Sequence, residues 1–301
     1  MMREAPARIR IDIARAIAFL GATLLFSGCV RADEPAQAAS FSVGSFNIHY
    51  ISRNGDLLPW DDRKPAVRSI IDEIDVDLLA FQEMETFSGG SIATENLQLD
   101  FVLAQFPRYA AAAVGAPEEY PSTQPILYRT DRFTPLDQGF FFFSPAPDEI
   151  YSRPWHARFP AFASWVRFDD RVTGVSFVVY NVHFDASSPR NRTKSARLVA
   201  ERVADRRYAD DPVIVLGDFN APRFFPSMGI LRRAGLHRAA TTGSTFHFNR
   251  GVHIIPGIDH ILGSDGVAFA DPTVARARYD GIHPSDHYPI RARATLTAAI
   301  R

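Results

Sequence analysis

Residues 217–220 of this 301-residue chain (Gly-Asp-Phe-Asn) directly follow an apolar run at 212–216. A short apolar run of this kind predicts a buried strand, so the carboxylate and the amide stand where that strand ends. Polar groups just past buried strands often build the active sites of α/β proteins. Because side chains alternate along an extended chain, Asp218 and Asn220 can point in the same direction if the extended geometry continues.

Five other segments carry polar side chains in the same setting, at 45–49, 76–83, 175–185, 257–262 and 285–290. A single polar residue at a strand end is more often a turn residue or a satisfied hydrogen-bonding group than a catalyst. Several in one chain, rich in Asn, Asp, Glu and His, indicate a shared cleft instead. The candidates are Asn47, Glu83, His183, Asp218, Asn220, Asp259, Asp286 and His287.

Most of these side chains are hard oxygen donors, which suit Mg²⁺ or Mn²⁺. The single cysteine, Cys29, is far from them in sequence, so we do not expect zinc held by thiolates. A hard divalent cation polarises a phosphoryl group and stabilises the charge that develops during in-line displacement. His183 and His287 could then contact phosphate oxygens or transfer protons, and Asp259 is suited to orient His287.

The motifs that carry these residues occur in a characteristic order: Phe-Asn-Ile, Gln-Glu, Asn-Val-His, Gly-Asp-Phe-Asn, Ile-Asp-His-Ile and Ser-Asp-His. In kind and order they resemble the endonuclease/exonuclease/phosphatase superfamily of metal-dependent phosphoesterases, which includes deoxyribonucleases, sphingomyelinases and inositol phosphatases. The resemblance extends over residues 41–298. It implies a four-layer α/β sandwich, in which two mixed β-sheets pack face to face and are flanked by helices. Periodicity alone predicts only an α/β fold.

The resemblance also implies which residues hold the cofactor. Glu83 would bind the divalent cation, Mg²⁺ or Mn²⁺, with Asn47 and Asp286 close to it. These three residues are therefore expected to form the metal site.

The remaining candidates are implied to act on the phosphate. Asp218 would position or deprotonate the attacking water, and Asn220 would hold that water or the phosphate. His183 would hydrogen-bond a phosphoryl oxygen. His287, oriented by Asp259, would transfer a proton or stabilise the transition state.

A basic cluster at 190–197 follows His183 and could hold an extra phosphate or a nucleic-acid backbone. Within it we expect Arg192 to face the cleft, and Arg63 and Lys64 are weaker candidates of the same kind. A solvated helix start would have the same composition. The formal net charge of −1 gives no broad field that would attract a polyanion.

Two aromatic residues, Phe224 and Phe225, follow the Gly-Asp-Phe-Asn motif directly. They could contact the substrate by stacking on a base or touching lipid. They could equally fill a hydrophobic space beneath their loop.

Residues 1–29 resemble the export signal of a bacterial lipoprotein, with four arginines, an apolar run at 16–26 and Ser-Gly-Cys at 27–29. Cys29 would then carry lipid and tether the protein to a membrane, although Phe26 stands where this pattern prefers leucine. The alternatives are ordinary signal-peptidase cleavage near 36–38 and an uncleaved apolar helix. Cleavage before Cys29 predicts a lipoprotein of the cell envelope. Ordinary signal-peptidase cleavage predicts a periplasmic or secreted protein.

We therefore expect a signal peptide at 1–29, a flexible tether at 30–40 and one catalytic domain at 41–301. A hydrophobic fraction of 46% over this length is enough for one large core. Loss of residues 1–29 removes four arginines and two acidic residues, which changes the formal charge from −1 to −3. We expect the domain to be a monomer.

Two helix–strand units must position the candidate residues. Apolar spacing predicts a helix over 63–73 that leads into the strand before Glu83. A second helix is predicted over 192–208, with Ser-Ser-Pro at 187–189 as its start signal, and it precedes the strand that ends at Asp218. Four consecutive phenylalanines at 140–143 predict a strand that packs on both faces.

The predicted function is a divalent-metal-dependent phosphodiesterase or nuclease of the bacterial cell envelope, with in-line attack of water on phosphorus. One alternative is a phosphatase or phosphodiesterase for phospholipids or sugar phosphates. Another is an inactive binding lipoprotein with the same fold, which is less favoured because every expected site residue is present.

Overall fold

The computed structural model describes residues 38–51, 58–84, 96–153, 155, 159–208 and 210–297. The predicted signal peptide with Cys29, and the tether up to residue 37, lie outside the described residues. The first strand, β1 (Ala39–Asn47), begins with a buried alanine, so residues 39 and 40 belong to a sheet and not to the tether. None of the helices in the described part of the chain is long and apolar enough to span a bilayer.

Two six-stranded mixed sheets form the centre of the fold. The first contains β1, β2 (Leu78–Gln82), β3 (Tyr109–Ala112), β4 (Ile126–Arg129), β11 (Val267–Val274) and β12 (Ile290–Leu296). Its strand order is β11-β12-β1-β2-β4-β3.

The second sheet contains β5 (Phe133–Phe142), β6 (Phe162–Asp170), β7 (Val175–His183), β8 (Val213–Asp218), β9 (His237–Arg238) and β10 (Asp259–Gly263). Its strand order is β5-β6-β7-β8-β10-β9. The helices are α1 (Trp60–Ile74), α2 (Leu97–Gln105), α3 (Pro189–Val203) and α4 (Pro226–Arg233), and a 3₁₀ turn covers Arg206–Tyr208.

Each sheet has a parallel pair at its centre, β1 with β2 and β7 with β8. Helix α1 lies between the first two strands in sequence, and α3 lies between the other two, as parallel pairing requires. The carboxyl ends of parallel strands meet at one edge. Asn47 therefore pairs with Gln82, the neighbour of Glu83, and His183 pairs with Asp218.

The neighbouring strands run the other way, so their first residues reach the same edge. β10 is antiparallel to β8, and Asp259 at its start pairs with Asp218. β12 is antiparallel to β1, and Ile290 at its start pairs with Ser45. Asp286 and His287 come just before β12. Topology thus brings six separate motifs to one end of the molecule.

Three apolar clusters separate four layers. One lies between the two sheets and includes Phe41 of the first and Phe177 of the second. A second joins the outer face of the second sheet to α3 and α4, and a third joins the first sheet to α1 and α2. This is the four-layer α/β sandwich that the sequence resemblance implied.

The predicted helices form, with shifted ends. The helix expected over 63–73 runs over Trp60–Ile74. The one expected over 192–208 runs over Pro189–Val203, because Ser188 caps it early by accepting a hydrogen bond from Asn191 N. The expected strand of phenylalanines packs on both faces: Phe140 faces the core between the sheets, and Phe141 and Phe143 face the helices.

Candidate active site

Asn47, buried at the end of β1, bridges the two sheets with its side-chain amide. Its Oδ1 accepts a hydrogen bond from His49 N at 3.0 Å, which fixes the orientation of the amide. Its Nδ2 donates to Glu83 Oε1 at 3.0 Å and to Asp218 Oδ2 at 3.1 Å. The expected place near the metal site is thus observed, but the amide presents its nitrogen to the carboxylates. Asn47 acts by holding them and gives its oxygen to the backbone.

Glu83 lies directly after β2 with a backbone φ of 56°, in the left-handed region that non-glycine residues rarely adopt. Such a conformation costs about 1 kcal/mol and is common where a site positions a side chain. Its side chain remains 21% exposed and its Oε1 lies 3.7 Å from His183 Nε2. Burial opposes ionisation, but His183, His49 and the bond from Asn47 lower the pKa of Glu83 below its ordinary value. Glu83 is therefore a reachable anionic oxygen donor.

Asp218 is buried between two imidazoles. Its Oδ2 lies 3.7 Å from His183 Nε2 and 3.8 Å from His287 Nε2. Burial and the neighbouring Asp259 raise the pKa of Asp218 to about 6, although both histidines oppose the shift. A carboxylate with a pKa in this range can take up and release a proton near neutral pH.

His287 is oriented from its other nitrogen, since Nδ1 lies 3.0 Å from Asp259 Oδ2. Asp259 is held in turn by Thr245, whose Oγ1 accepts a hydrogen bond from Asp259 N at 3.2 Å. Burial alone would lower the pKa of His287, but Asp259 and Asp218 raise it well above the ordinary value. We conclude that His287 carries a proton at neutral pH.

Asn220 does not continue the extended geometry of β8. Its φ is 47°, and its backbone N–H turns back to donate to Asp218 Oδ1 at 2.8 Å. Its side-chain Nδ2 donates to Phe184 O at 2.8 Å. The extended geometry that would let Asp218 and Asn220 point in the same direction therefore does not continue, because the chain turns immediately after the strand. Asn220 fixes the carboxylate of Asp218 through the backbone.

Asp286 is half-buried next to His287, and it raises the pKa of that imidazole. Asp286 and Glu83 both lie near the positive charge of Arg63. Their hard oxygen atoms fit a divalent cation such as Mg²⁺. Among the described residues, ligand atoms of Asp218, Asp259 and His287 also lie within 4.8 Å of one another. Within this group His287 Nδ1 is hydrogen-bonded to Asp259 Oδ2, whereas Asp218 Oδ2 lies 3.8 Å from His287 Nε2.

Residues 44–287, which include all of these side chains, match the model of the Endonuclease/Exonuclease/phosphatase family. The chain belongs to this family. No curated protein matches the chain.

Solved structures of the family resemble the chain over most of its length. An endonuclease/exonuclease/phosphatase family protein from Bacteroides thetaiotaomicron is 26% identical with a TM-score of 0.72, and the match covers 86% of this chain and 99% of that one. A mannosyl-6-phosphatase from the same organism is 27% identical with a TM-score of 0.69, covering 84% and 98%. D. rerio TDP2, complexed with a single-strand DNA product, is 15% identical with a TM-score of 0.63, covering 85% and 99%, which shows the fold alone. The chain is accordingly a hydrolase of phosphoester bonds.

In this endonuclease/exonuclease/phosphatase domain, Arg192 is 5% exposed, and its Nη1 donates to the backbone oxygens of Asp185 and Ala186 at 2.8 and 3.0 Å. Burial lowers the pKa of Arg192, and the nearby charges of Asp185 and Asp218 oppose that shift. The guanidinium stabilises the loop after β7, and its contact with substrate stays a prediction. Another member of the basic cluster, Lys194, lies over the ring of Trp155 at 4.4 Å.

The two aromatic candidates have different environments. Phe224 is 70% exposed, whereas Phe225 packs against the apolar cluster beneath α4. Their rings meet edge to face at 5.4 Å. Phe225 thus fills the hydrophobic space considered as its alternative, and only Phe224 presents its ring to solvent.

A buried polar network beneath the family's active-site residues was missed by the sequence analysis. Gln82 Nε2 donates to Asn181 Oδ1 at 2.7 Å, which links the two sheets, and it also donates to Ser45 Oγ at 3.1 Å. Asn181 Nδ2 donates to Phe81 O at 2.7 Å. The signal was available, because Ser45 and Asn181 each stand two residues before a candidate, on the same face of a strand.

Proposed function

We propose that this chain is a divalent-metal-dependent phosphoester hydrolase of the bacterial cell envelope that cleaves small phosphoesters, with sugar phosphates as the favoured class. The observation that supports it best is the position of buried Asp218, between His183 at 3.7 Å and His287 at 3.8 Å. A proton acceptor and two imidazoles around one point match what phosphoester hydrolysis requires.

The chemistry follows from the charge states. Water forms a bond to phosphorus and its proton passes to Asp218. The bond to the leaving oxygen breaks, and that oxygen keeps the electron pair and takes up a proton from solvent. Asp218 then releases its proton to solvent. His287, charged and held by Asp259, stabilises the negative charge that develops on the phosphoryl oxygens, and His183 donates to another of these oxygens. When bound near Glu83 and Asp286, Mg²⁺ or Mn²⁺ would polarise the phosphoryl group.

A small substrate is favoured over nucleic acid, although the sequence left a phosphodiesterase and a nuclease open. The guanidinium of Arg192 is bonded to backbone oxygens, and Lys194 lies over Trp155. The basic cluster at 190–197 therefore offers less charge to a nucleic-acid backbone than its composition indicated. The similarity to a mannosyl-6-phosphatase at 27% identity supports a sugar phosphate.

A panel of phosphoesters tests the proposal. We expect mannose 6-phosphate to be cleaved with a higher kcat/KM than bis-p-nitrophenyl phosphate, DNA or sphingomyelin, in the presence of Mg²⁺ or Mn²⁺. Asp218→Ala should lower the rate by about 10²-fold or more. If DNA is the best substrate and its affinity falls steeply as the salt concentration rises, the protein is a nuclease and not a sugar phosphatase. Undiminished rates in Asp218→Ala would remove the mechanism.

The location in the envelope is proposed from Cys29 and the residues before it. In a bacterial host, we expect the full chain to incorporate labelled palmitate and to sediment with membranes, and the Cys29→Ser variant to do neither. A wild-type protein that is exported without label would indicate ordinary signal-peptidase cleavage instead.

A further inference from the structure

Arg63, in the first turn of α1, is buried with 1% exposure. In the bonds that the structure describes, its guanidinium donates to four backbone oxygens: Ile48 O at 2.6 Å, His49 O at 2.5 Å, Pro284 O at 2.8 Å and Tyr50 O at 3.4 Å. An arginine charge is costly to bury unless its donors are satisfied, so these contacts must contribute to holding it there.

The carbonyls that Arg63 binds belong to two segments of the active site. Ile48 and His49 directly follow Asn47, and Pro284 precedes Asp286 by two residues. The bond to Pro284 spans 221 positions of sequence. Arg63 therefore connects the segment that holds Glu83 through Asn47 with the segment that carries Asp286 and His287.

A second contact joins the same two segments. Ser285 Oγ donates to Asn47 O at 2.7 Å and accepts a hydrogen bond from His287 N at 3.2 Å. Three consecutive carbonyls, of residues 47–49, are thus bonded by side chains from elsewhere in the chain. This segment begins at Asn47, the last paired residue of β1, and continues past it, so side chains bind the carbonyls where strand pairing ends.

The charge of Arg63 also acts on the site. Burial lowers the pKa of Arg63 to about 10, and Asp286 and Glu83 oppose that shift, so the guanidinium stays charged at neutral pH. This buried positive charge lies near the carboxylates of Glu83 and Asp286.

We propose that Arg63 is a positioning residue, which sets the spacing between Glu83 and the Asp286–His287 segment and thereby the strength of divalent-cation binding. This inference rests on the proposed function for its link to catalysis. The planar guanidinium bonds two segments at once, and a lysine ammonium, a single point charge on a flexible stem, cannot reproduce that geometry.

Arg63→Lys tests the inference in two ways: Mn²⁺ binding by calorimetry, and the Mn²⁺ concentration for half-maximal hydrolysis of p-nitrophenyl phosphate. Loss of a partner that orients metal ligands weakens binding by about 10-fold to 100-fold, and we expect a change in this range in both measurements. We also expect kcat at saturating Mn²⁺ to fall, because the spacing of His287 changes.

Arg291→Lys is the matched control. Arg291 Nη1 also donates to a backbone oxygen, that of Ile74 at 2.8 Å, but it does not contact the segments bonded by Arg63. This variant should bind Mn²⁺ like the wild type. If Arg63→Lys does not fold, Arg63→Gln is the second variant, since its side-chain amide can still donate to one of the two segments but not to both.

The outcomes distinguish the further inference from the proposed function. Wild-type Mn²⁺ affinity in folded Arg63→Lys, or in Arg63→Gln if the first does not fold, would overturn the inference. A wild-type protein that binds Mn²⁺ but hydrolyses no phosphoester would refute the proposed function, and calorimetry of the variants would still decide the role of Arg63. A wild-type protein that binds no Mn²⁺ would refute both.

Discussion

His287 Nδ1 lies 3.0 Å from Asp259 Oδ2, and both side chains are buried where the two sheets meet. Asp259 begins β10 of the second sheet, while His287 stands three residues before β12 of the first. The hydrogen bond therefore joins the two sheets. It also directs the opposite nitrogen, Nε2, towards Asp218 at 3.8 Å. One contact thus links the two sheets and fixes the orientation of the imidazole.

Asp259→Asn should lower the alkaline limit of activity. Removal of the anion destabilises the imidazolium, so the pKa of His287 falls from its raised value and the proton is lost at lower pH. We expect the alkaline limb of the kcat/KM profile to move to lower pH, and the maximum to fall by about 10²-fold or more. Asp271→Asn, at an exposed aspartate of β11, is the control. An unmoved alkaline limb would show that Asp259 does not set the charge of His287.

Asp218 should set the acid limit of the pH–activity profile. Its pKa is raised from 3.8 to about 6, and a proton acceptor must be ionised to work, so kcat/KM should rise with pH through about 6 and level off above it. Asp218→Asn should remove this limb and lower the rate by about 10²-fold or more. A limb that persists with the same midpoint in the residual activity would assign the titration to another group.

Divalent cations should stabilise the folded protein through Glu83. Binding to the native state alone raises the free energy of unfolding in proportion to the logarithm of cation concentration. We expect the Tm of the wild type to rise with Mg²⁺ or Mn²⁺ and to return after chelation, and Glu83→Gln to show no rise. Glu73→Gln, which alters a carboxylate bonded to Tyr279 on the surface, should respond like the wild type. A full response in Glu83→Gln would place the cation elsewhere.

Gly217 should tolerate no side chain. Its φ is 142°, and a Cβ there would lie 2.0 Å from Val182 O of the paired strand. Gly217→Ala must therefore separate β7 from β8, and we expect it to destabilise the fold by more than about 4 kcal/mol. Gly174→Ala has a positive φ of 69° but open space around the new carbon, so it should cost only about 1 kcal/mol. Equal losses of unfolding free energy in the two variants, measured by urea denaturation, would show that backbone conformation, and not the clash, determines the cost.

Substitution of Phe225 should affect the stability of the fold, and substitution of Phe224 should affect only substrate binding. Phe225→Ala removes a ring from the apolar cluster and should lower the free energy of unfolding by about 2 kcal/mol. Phe224→Ala should leave it unchanged, because the ring is exposed. If Phe224 contacts the substrate, its loss should reduce kcat/KM by about fivefold, which corresponds to about 1 kcal/mol of ring contact. Unaltered kcat/KM on every substrate of the panel would exclude that contact.

Much of this fold was predictable from local patterns. Apolar runs and helical spacing located α1, α3 and the strands that end at Asn47, Gln82, His183 and Asp218, since these signals depend on neighbouring residues only. The errors occurred at element ends. The start signal of α3 is confirmed, since Ser188 caps it, but the helix ends at Val203 and not at 208, and β1 begins inside the predicted tether. Hydrogen bonds and pairing with distant strands decide such boundaries.

The sequence by itself determined which polar side chains are available, the strands that present them and, through motif order, the family. The tertiary structure alone decided how those groups are used. It directs the guanidinium of Arg192 to backbone oxygens, turns Asn220 back onto Asp218, and places Arg63 between two distant segments. These outcomes depend on which buried donors and acceptors meet after the sheets pack. A side chain's chemistry is a local property, but its partners are selected by long-range packing.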